Sequence, residues 1–286
     1  MTRECMMDDP DYIRVLNAET PMDRTSGDRP NGQHTTELHP CRYLQSSSNP
    51  VDFDKTALII LNSPIQDLGL LEALYGHAGY RICCDGGANR LYDLLSQQKT
   101  PETLRTLLPN AIHGDLDSLR DDVRRYYEEH DVKVMRDPDQ NSNDFGKCMA
   151  YIADGLPSVQ TVLVLGSLGG RVDQGIGLLH GIYREQKHQR PHLRLLFFSE
   201  GSVSMVIMSG TTTIHTPLGE GVIEENVGIL PLYGKAVIST EGLEWDVRDW
   251  PTEMGGNVST SNHIKADQVS IISDVDVLFT IERRTT

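Results

Sequence analysis

Short apolar runs alternate with amphipathic segments from residue 57 to about residue 200. The first run, residues 57–61, ends at Asn62-Ser63-Pro64, and helical spacing of leucines follows at Leu70, Leu71 and Leu74. The same step recurs, with apolar runs at residues 81–84, 111–113, 132–135, 161–165 and 195–198. Nearly continuous apolar strands that alternate with helices predict a mostly parallel sheet with helices on both faces.

The two ends of the chain have a different pattern. After Gly201, Val, Ile, Thr and Gly form short alternating runs without a helical period, which predicts a second, all-β domain. Before residue 51 the chain mixes Asp, Arg, Pro, Ser and Asn with few periodic apolar positions, which predicts a disordered or loosely draped arm. The expected organisation is an arm over residues 1–50, an α/β domain over 51–200 and the all-β domain over 201–286.

Composition narrows the possible functions. The formal net charge of −15 argues against a nucleic-acid surface, because phosphate backbones are bound by clustered Lys and Arg. The first residues lack a signal-peptide core and no run reaches about 18 apolar residues, so we expect a cytoplasmic protein that does not cross a membrane. Five cysteines without a Cys-x-x-Cys pair predict neither a disulfide framework nor a zinc site. Adjacent Cys83 and Cys84 should pack on opposite faces of a strand.

Carboxylates follow several predicted strands. Ligands of open parallel sheets bind beyond the carboxyl ends of the strands, where Asp85, Asp115, Asp117 and Asp144 lie in this sequence. In an extended segment Asp115 and Asp117 would share one face about 7 Å apart, within reach of one cation. Oxygen ligands without His or Cys favour Mg²⁺. The alternative is an Asx turn followed by a helix N-cap at Ser118.

A capped helix is predicted to follow Asn143. Its buried positions occur at helical spacing, at Phe145, Cys148, Met149 and Ile152. Asp144 and Lys147 fall together on another face, where the helix start and the Lys147 cation could bind phosphate. An ordinary capped helix with an exposed ion pair is the alternative.

Glycines at 166, 169 and 170 lie between a predicted strand and a predicted helix, a context in which backbone can approach phosphate closely. The segment matches neither the Gly-x-Gly-x-x-Gly nor the Walker pattern. Arg171 could contact phosphate in a bidentate manner, and Asp173 could orient Arg171 or join the metal cluster. Alternatively, this is a flexible turn with a surface arginine.

Trp245 precedes a run of small polar residues in the all-β domain. A tryptophan beside the hydroxyl groups of residues 259–262 could stack on a flat heteroaromatic ligand and hydrogen-bond to it. A core tryptophan and a polar hairpin would explain the same pattern.

The ordered set of motifs, from Ala57 to near the C-terminus, resembles the eukaryotic thiamine pyrophosphokinase family. The motifs are Asp85-Gly86-Gly87-Ala88-Asn89, Gly114-Asp115-Leu116-Asp117-Ser118, Gln140-x-x-x-Asp144, Gly169-Gly170-Arg171-x-Asp173-Gln174, Trp245 and Ser259-Thr260-Ser261-Asn262. The resemblance implies an α/β catalytic domain followed by a thiamine-binding β-sandwich, in a homodimer with active sites between subunits. It also implies Mg²⁺-dependent transfer of pyrophosphate from ATP to the thiamine hydroxyl, giving thiamine diphosphate and AMP.

The resemblance also implies residue roles. Asp85, Asp115, Asp117 and Asp144 would be catalytic, with Mg²⁺ bound by Asp115, Asp117 and Asp144. The nucleotide and its phosphates would contact Gln140, Asn143, Lys147, Arg171, Asp173 and Gln174. Thiamine would contact Trp245, Ser259, Thr260, Ser261 and Asn262. Asp115 and Asp144 are the candidates to accept the hydroxyl proton.

Two departures and two alternatives accompany this interpretation. The arm before residue 51 carries none of the family motifs, and Val172 stands where an aromatic residue would also fit. A non-catalytic thiamine or nucleotide sensor is disfavoured by the complete acidic set with Lys147 and Arg171. A kinase for another hydroxylated heterocycle could be distinguished only by the pocket of the second domain.

Overall fold

A computed structural model describes residues 35–47, 50–98, 105–139 and 141–285. The strands are β1 Thr35–Leu38, β2 Thr56–Ile60, β3 Tyr80–Cys84, β4 Ala111–Gly114, β5 Lys133–Arg136, β6 Thr161–Leu165, β7 Arg194–Phe198, β8 Ser202–Ile207, β9 Gly210–His215, β10 Ile223–Leu230, β11 Ala236–Glu241, β12 Trp250–Thr252, β13 Ser259–His263, β14 Gln268–Ser273 and β15 Val277–Arg283. The α-helices are α1 Leu68–His77, α2 Gly87–Gln98, α3 Asp121–Glu128, α4 Asp144–Gly155 and α5 Val172–Arg184. None of the helices in these ranges is both long and apolar enough to cross a membrane.

A ten-stranded sheet runs in the order β13-β10-β15-β8-β7-β6-β2-β3-β4-β5. The six strands from β7 to β5 are parallel to one another. From β2 the chain builds β3, β4 and β5 on one side, and then returns to place β6 and β7 on the other. The strand order therefore reverses between β2 and β6, which is the point where open α/β sheets form ligand crevices.

Successive side chains of the parallel strands enter two different cores. Leu58 packs in a core with residues of α1, α2 and α3, whereas Ile59 packs in a second core with residues of α4 and α5. Cys83 and Cys84 divide between the two cores in the same way, as predicted. The prediction of a mostly parallel sheet with helices on both faces is confirmed.

The β-rich domain is a two-layered sandwich. A five-stranded sheet, β1-β9-β14-β11-β12, contributes Ile214 and Ile271 to a core that also contains Met205 and Phe279 of the ten-stranded sheet. The predicted boundary near residue 200 falls at the tight turn between β7 and β8. The sheet nevertheless continues through this turn, because β7 and β8 pair in antiparallel register.

The predicted arm is ordered in part. Residues 1–34 and 48–49 lie outside the described part of the chain. β1 pairs in parallel with β9, and the 3-10 helix Pro40–Leu44 buries Cys41 and Tyr43. For residues 35–47 the prediction of disorder is wrong, because one short strand and one helical turn are too brief to show a hydrophobic period although their few apolar residues are buried.

Candidate active site

Three carboxylates meet at the carboxyl ends of neighbouring strands. Asp85 follows β3, Asp115 follows β4, and Asp144 begins α4. One carboxylate oxygen from each of them lies within 4.8 Å of the other two. This spacing allows a single cation to contact all three residues.

Gly114 makes this approach possible. A Cβ atom at position 114 would lie 2.8 Å from Asp144 Oδ1 and 2.9 Å from Asp85 Cβ, closer than side-chain atoms normally pack. A residue with a side chain would therefore push the carboxylates apart. The glycine that ends β4 is part of the site although it has no reactive group.

The cluster has the electrostatics of a cation site. Asp85 Oδ2 accepts a hydrogen bond from the Ser118 N–H at 3.1 Å, whereas the Oδ1 atom is buried and has no hydrogen-bond partner among the described residues. Burial raises the pKa of Asp85, and burial followed by the charge of Asp115 raises the pKa of Asp144. A bound divalent cation would pair the buried oxygen and offset the repulsion, and three oxygen donors suit Mg²⁺.

Asp117 has a different position from the one predicted. Leu116 adopts a left-handed conformation with φ of 63°, so the segment turns and the expectation of an extended pair is wrong. The Asp117 N–H donates to Asp115 Oδ1 at 3.2 Å, which is the Asx turn of the alternative interpretation. The exposed Asp117 carboxylate accepts from the Ser118 hydroxyl and lies outside the three-carboxylate cluster, to which Asp85 contributes instead.

Ser118 is not a helix cap. Helix α3 begins at Asp121 with Arg120 at the N-cap position, so the alternative prediction of a cap at Ser118 is also wrong. The Ser118 backbone instead donates to Asp85, which ties the β4 turn to the end of β3.

Lys147 is a buried support for the cluster. The predicted stripe of α4 is buried, and Lys147 is also buried, with only 4% of its surface exposed. Its Nζ atom donates to the Asp137 carbonyl at 3.0 Å and lies 3.6 Å from Asp144 Oδ1. The alternative of an exposed ion pair on α4 is therefore wrong. Asn143 caps the helix by accepting the Gly146 N–H at 2.8 Å.

A cavity of about 730 Å³ opens beside the cluster at the point where the strand order reverses. Its lining includes Asp144, Asn143, the glycine loop at 169–170, Arg171 and Gln174. Arg171 pairs with Asp173 at 2.6 Å, with both side chains mostly exposed, so the guanidinium lies at the cavity rim. Gln140 lies outside the described residues.

The sequence interpretation missed residues of this cavity. Asn62 and Ser63 follow β2 and line the cavity, as does Glu200. Asn62 was interpreted only as the end of a strand. Its place at the carboxyl end of the strand next to the reversal point is the signal that could have identified it.

The β-rich domain carries a second cavity, of about 210 Å³, lined by Trp245, Ser259, Thr260, Asn262 and Trp250 among others. Trp245 is 55% exposed, so the alternative of a core tryptophan is wrong. The buried Asn262 side chain accepts the Trp245 N–H at 3.2 Å and donates to the Trp245 carbonyl at 3.0 Å. Asn262 therefore fixes the backbone that presents the indole.

Ser261 and Trp250 differ from the sequence expectation for this pocket. Ser261, with φ of 56°, is not among the lining residues, whereas Trp250 was missed. Trp250 is the second of two tryptophans in the chain, five positions after the first, and this proximity was an available signal.

Fold and site together define a two-domain protein, in which an α/β domain carries the acidic crevice and a β-rich domain carries an aromatic pocket. The family model for the thiamin pyrophosphokinase catalytic domain matches residues 71–194, and the model for the vitamin B1 binding domain of the same enzymes matches residues 211–278. The chain belongs to the thiamine pyrophosphokinase family.

Individual relatives agree along most of their length. Thiamine pyrophosphokinase 1 of Arabidopsis thaliana is 30% identical over 87% of this chain and 94% of its own. Thiamine pyrophosphokinase of Saccharomyces cerevisiae is 30% identical over 82% of this chain and 86% of its own. The crystal structure of yeast thiamin pyrophosphokinase superposes with a TM-score of 0.76 at 25% identity, over 93% of this chain and 96% of that chain.

Proposed function

We propose that this protein catalyses Mg²⁺-dependent transfer of pyrophosphate from ATP to the hydroxyl group of thiamine, releasing AMP and thiamine diphosphate. The observation that carries this proposal is the three-carboxylate cluster with a buried, unpaired oxygen at the edge of a cavity large enough for a nucleotide. The cavity lies where α/β folds bind nucleotides, and the second domain offers an aromatic pocket for a flat heterocycle.

The residues of the chain suit this reaction. The thiamine oxygen forms a bond to the β-phosphorus, and the bond between that phosphorus and the oxygen bridging to the α-phosphate breaks. Bound Mg²⁺ would supply charge neutralisation on the phosphates. Asp85, Asp115 and Asp144 would bind the ion. The buried Lys147, whose Nζ atom lies 3.6 Å from Asp144 Oδ1, keeps the Asp144 carboxylate in place. Asp144 or Asp115 would accept the hydroxyl proton.

Arg171 can reach the phosphates at low energetic cost. Its ion pair with Asp173 is exposed to solvent, and such pairs contribute little to stability. The guanidinium can therefore exchange the Asp173 carboxylate for phosphate oxygens, to which it binds in bidentate geometry. Gln174, three residues after Arg171, lines the same cavity and would contact the nucleotide.

The positions of the two cavities favour a site shared between two subunits. β13, which carries Ser259 and Asn262, is the first strand of the ten-stranded sheet, and β3, which precedes Asp85, is the eighth. At about 4.8 Å per strand the seven intervals correspond to about 34 Å along the sheet, well beyond the length of thiamine. A homodimer that brings β13 of one subunit to the acidic cluster of the other would resolve this separation. We also expect a reducing compartment, the cytoplasm, because the four cysteines of the described residues are free and buried.

The decisive assay measures AMP release from Mg-ATP with thiamine, without thiamine, and with a thiamine analogue that lacks the hydroxyl group. We expect AMP and thiamine diphosphate in equal amounts, only when the hydroxyl group is present, and no product in EDTA. Release of ADP would contradict the pyrophosphate transfer. Thiamine binding without AMP formation would favour the sensor alternative, and turnover with another hydroxylated heterocycle in place of thiamine would favour a different kinase.

Trp245→Ala should raise the KM for thiamine about tenfold or more and change the KM for ATP less than twofold, because the exposed indole offers a stacking and cation–π surface to the thiazolium. Steady-state kinetics with each substrate varied in turn measures both constants. Trp245→Phe is the matched control and should retain part of the affinity. Equal loss for both substrates would show that Trp245 supports the fold instead of the pocket.

A further inference from the structure

A second group of metal-ligand side chains lies on the five-stranded sheet, outside the residues used above. Glu37 belongs to β1, His39 follows β1, and His215 ends β9. A ligand atom from each lies within 4.8 Å of the other two. Glu37 Oε2 is 3.9 Å from Nε2 of His39 and also 3.9 Å from Nε2 of His215.

Strand register brings the three residues together. β1 and β9 are parallel, with Leu38 beside Ile214, so the next residues along the two strands, His39 and His215, are neighbours. Glu37 is two residues before His39 and therefore projects from the same face. The two imidazole rings stack with centroids 3.8 Å apart.

The state of the imidazoles suits metal binding. Nε2 of His215 is buried and has no hydrogen-bond partner among the described residues, a costly arrangement for a ring nitrogen. On the far side of His215, Nδ1 lies 3.5 Å from Nε2 of Gln268. Rotation of that amide by about 180° would bring its Oε1 to this place, where it would accept an Nδ1–H and orient the ring.

We propose that Glu37, His39 and His215 form a binding site for a divalent transition metal, with Zn²⁺ as the fitting ion. Two imidazoles and one carboxylate are a common zinc donor set, and they leave a fourth position for water. The sequence interpretation predicted no zinc site because it relied on cysteine spacing. A site composed of His and Glu from two strands has no such signature.

Binding requires side-chain movements but no change of the backbone. Ligand atoms of a tetrahedral zinc ion are about 3.3 Å apart, so the two 3.9 Å separations close by about half an ångström. The imidazole rings must also rotate out of their stack so that both nitrogens point to one ion. Glu37 and His39 have side chains that are 65% and 43% exposed, which leaves them free to rotate.

The ion would fasten the N-terminal strand to the sheet. Within the part of the chain that the structure describes, β1 is an edge strand that pairs with β9 alone, over four positions. A metal bound to residues of both strands is lost when β1 detaches, so binding stabilises the attached state.

Thermal unfolding of the full chain with added ZnCl₂ tests this site, in 5 mM MgCl₂ so that Mg²⁺ competes for the acidic cluster. At a free Zn²⁺ concentration about one hundred times the Kd, the melting temperature should rise by about 5–10 °C. Replacement of Zn²⁺ by Co²⁺ should give visible absorption bands typical of tetrahedral coordination with nitrogen and oxygen ligands.

Both signals should disappear in His215→Gln and weaken at least tenfold in apparent affinity in Glu37→Gln. Glu37 is largely exposed, so its variant keeps the test decisive even if His215→Gln folds poorly. The exposed His180→Gln and the acidic-cluster variant Asp144→Asn are controls that should keep the full zinc shift. A wild-type protein without a zinc shift, or a shift that is unchanged in Glu37→Gln and His215→Gln, would overturn the proposal.

Discussion

Asp144→Asn should lower the rate of AMP formation by at least about a thousandfold, the scale expected when a metal ligand of a phosphoryl-transfer site is lost. Asp144 contacts two other groups of the site. Its Oδ1 atom accepts a hydrogen bond from the Asp115 N–H at 3.3 Å and lies 3.6 Å from Lys147 Nζ. An asparagine keeps the size of the side chain but removes the charge needed for the cation. Quenched-flow or steady-state measurement of AMP at saturating thiamine gives the rate.

Two variants make this experiment specific. Asp154→Asn lies on the same helix, is exposed, and should retain wild-type turnover. Asp117→Asn tests whether the observed geometry or the sequence motif identifies the metal ligands. Asp117 lies outside the three-carboxylate cluster, so its replacement should lower turnover much less than the replacement of Asp144. An equal loss of turnover in Asp117→Asn and Asp144→Asn would show that Asp117 also binds the metal. Wild-type turnover in Asp144→Asn would contradict the cluster as a whole.

Mixing two impaired variants, at a thiamine concentration well below the wild-type KM, should restore about a quarter of the wild-type activity. Trp245→Ala removes the thiamine side of each site and Asp115→Asn removes the acidic side. In a symmetric dimer with shared sites, half of the randomly exchanged dimers are mixed, and each mixed dimer has one intact site. The expectation follows from the seven strand intervals from β13 to β3, which separate the two halves of the site within one subunit.

The mixing experiment needs proof of exchange. Subunits with different tags should be copurified after incubation, and the isolated mixed dimers, which have one intact site of two, should show about half of the wild-type activity. Two copies of the same variant, carrying the two tags, are the control and should keep the low activity of that variant. Absence of activity in copurified mixed dimers would mean that each site is formed within one subunit, and absence of dimers would contradict the proposed assembly itself.

The sequence was sufficient to predict the parallel sheet because its strands are buried on both faces. Residues such as Leu58 and Ile59 enter different cores, and this produces the continuous apolar runs on which the prediction rests. Strand order, by contrast, depends on contacts between distant segments. The return of β6 to the side of β2 and the continuation from β7 into β8 could not be derived from any local pattern.

The acidic site was predictable in kind but not in detail. Strand-end aspartates indicated a cation site, and the resemblance identified a family to which the chain does belong. Whether Asp85 or Asp117 completes the carboxylate cluster depends on the left-handed conformation of Leu116, and a leucine side chain does not predict that conformation. The burial of Lys147 depended on a carbonyl group ten residues earlier, at Asp137, that no helical pattern could reveal.

The continuous sheet leaves this protein without a hinge between its two domains. A change in their angle would have to break the β7–β8 pairing, and it would also separate the buried Arg283 of β15 from Asp67 at the start of α1, two groups that lie 2.8 Å apart. Large domain closure, which many transferases use to expel water, is therefore not open to this fold. In the proposed homodimer, the surface of the second subunit would shield the reacting phosphates, so subunit association would act as the lid.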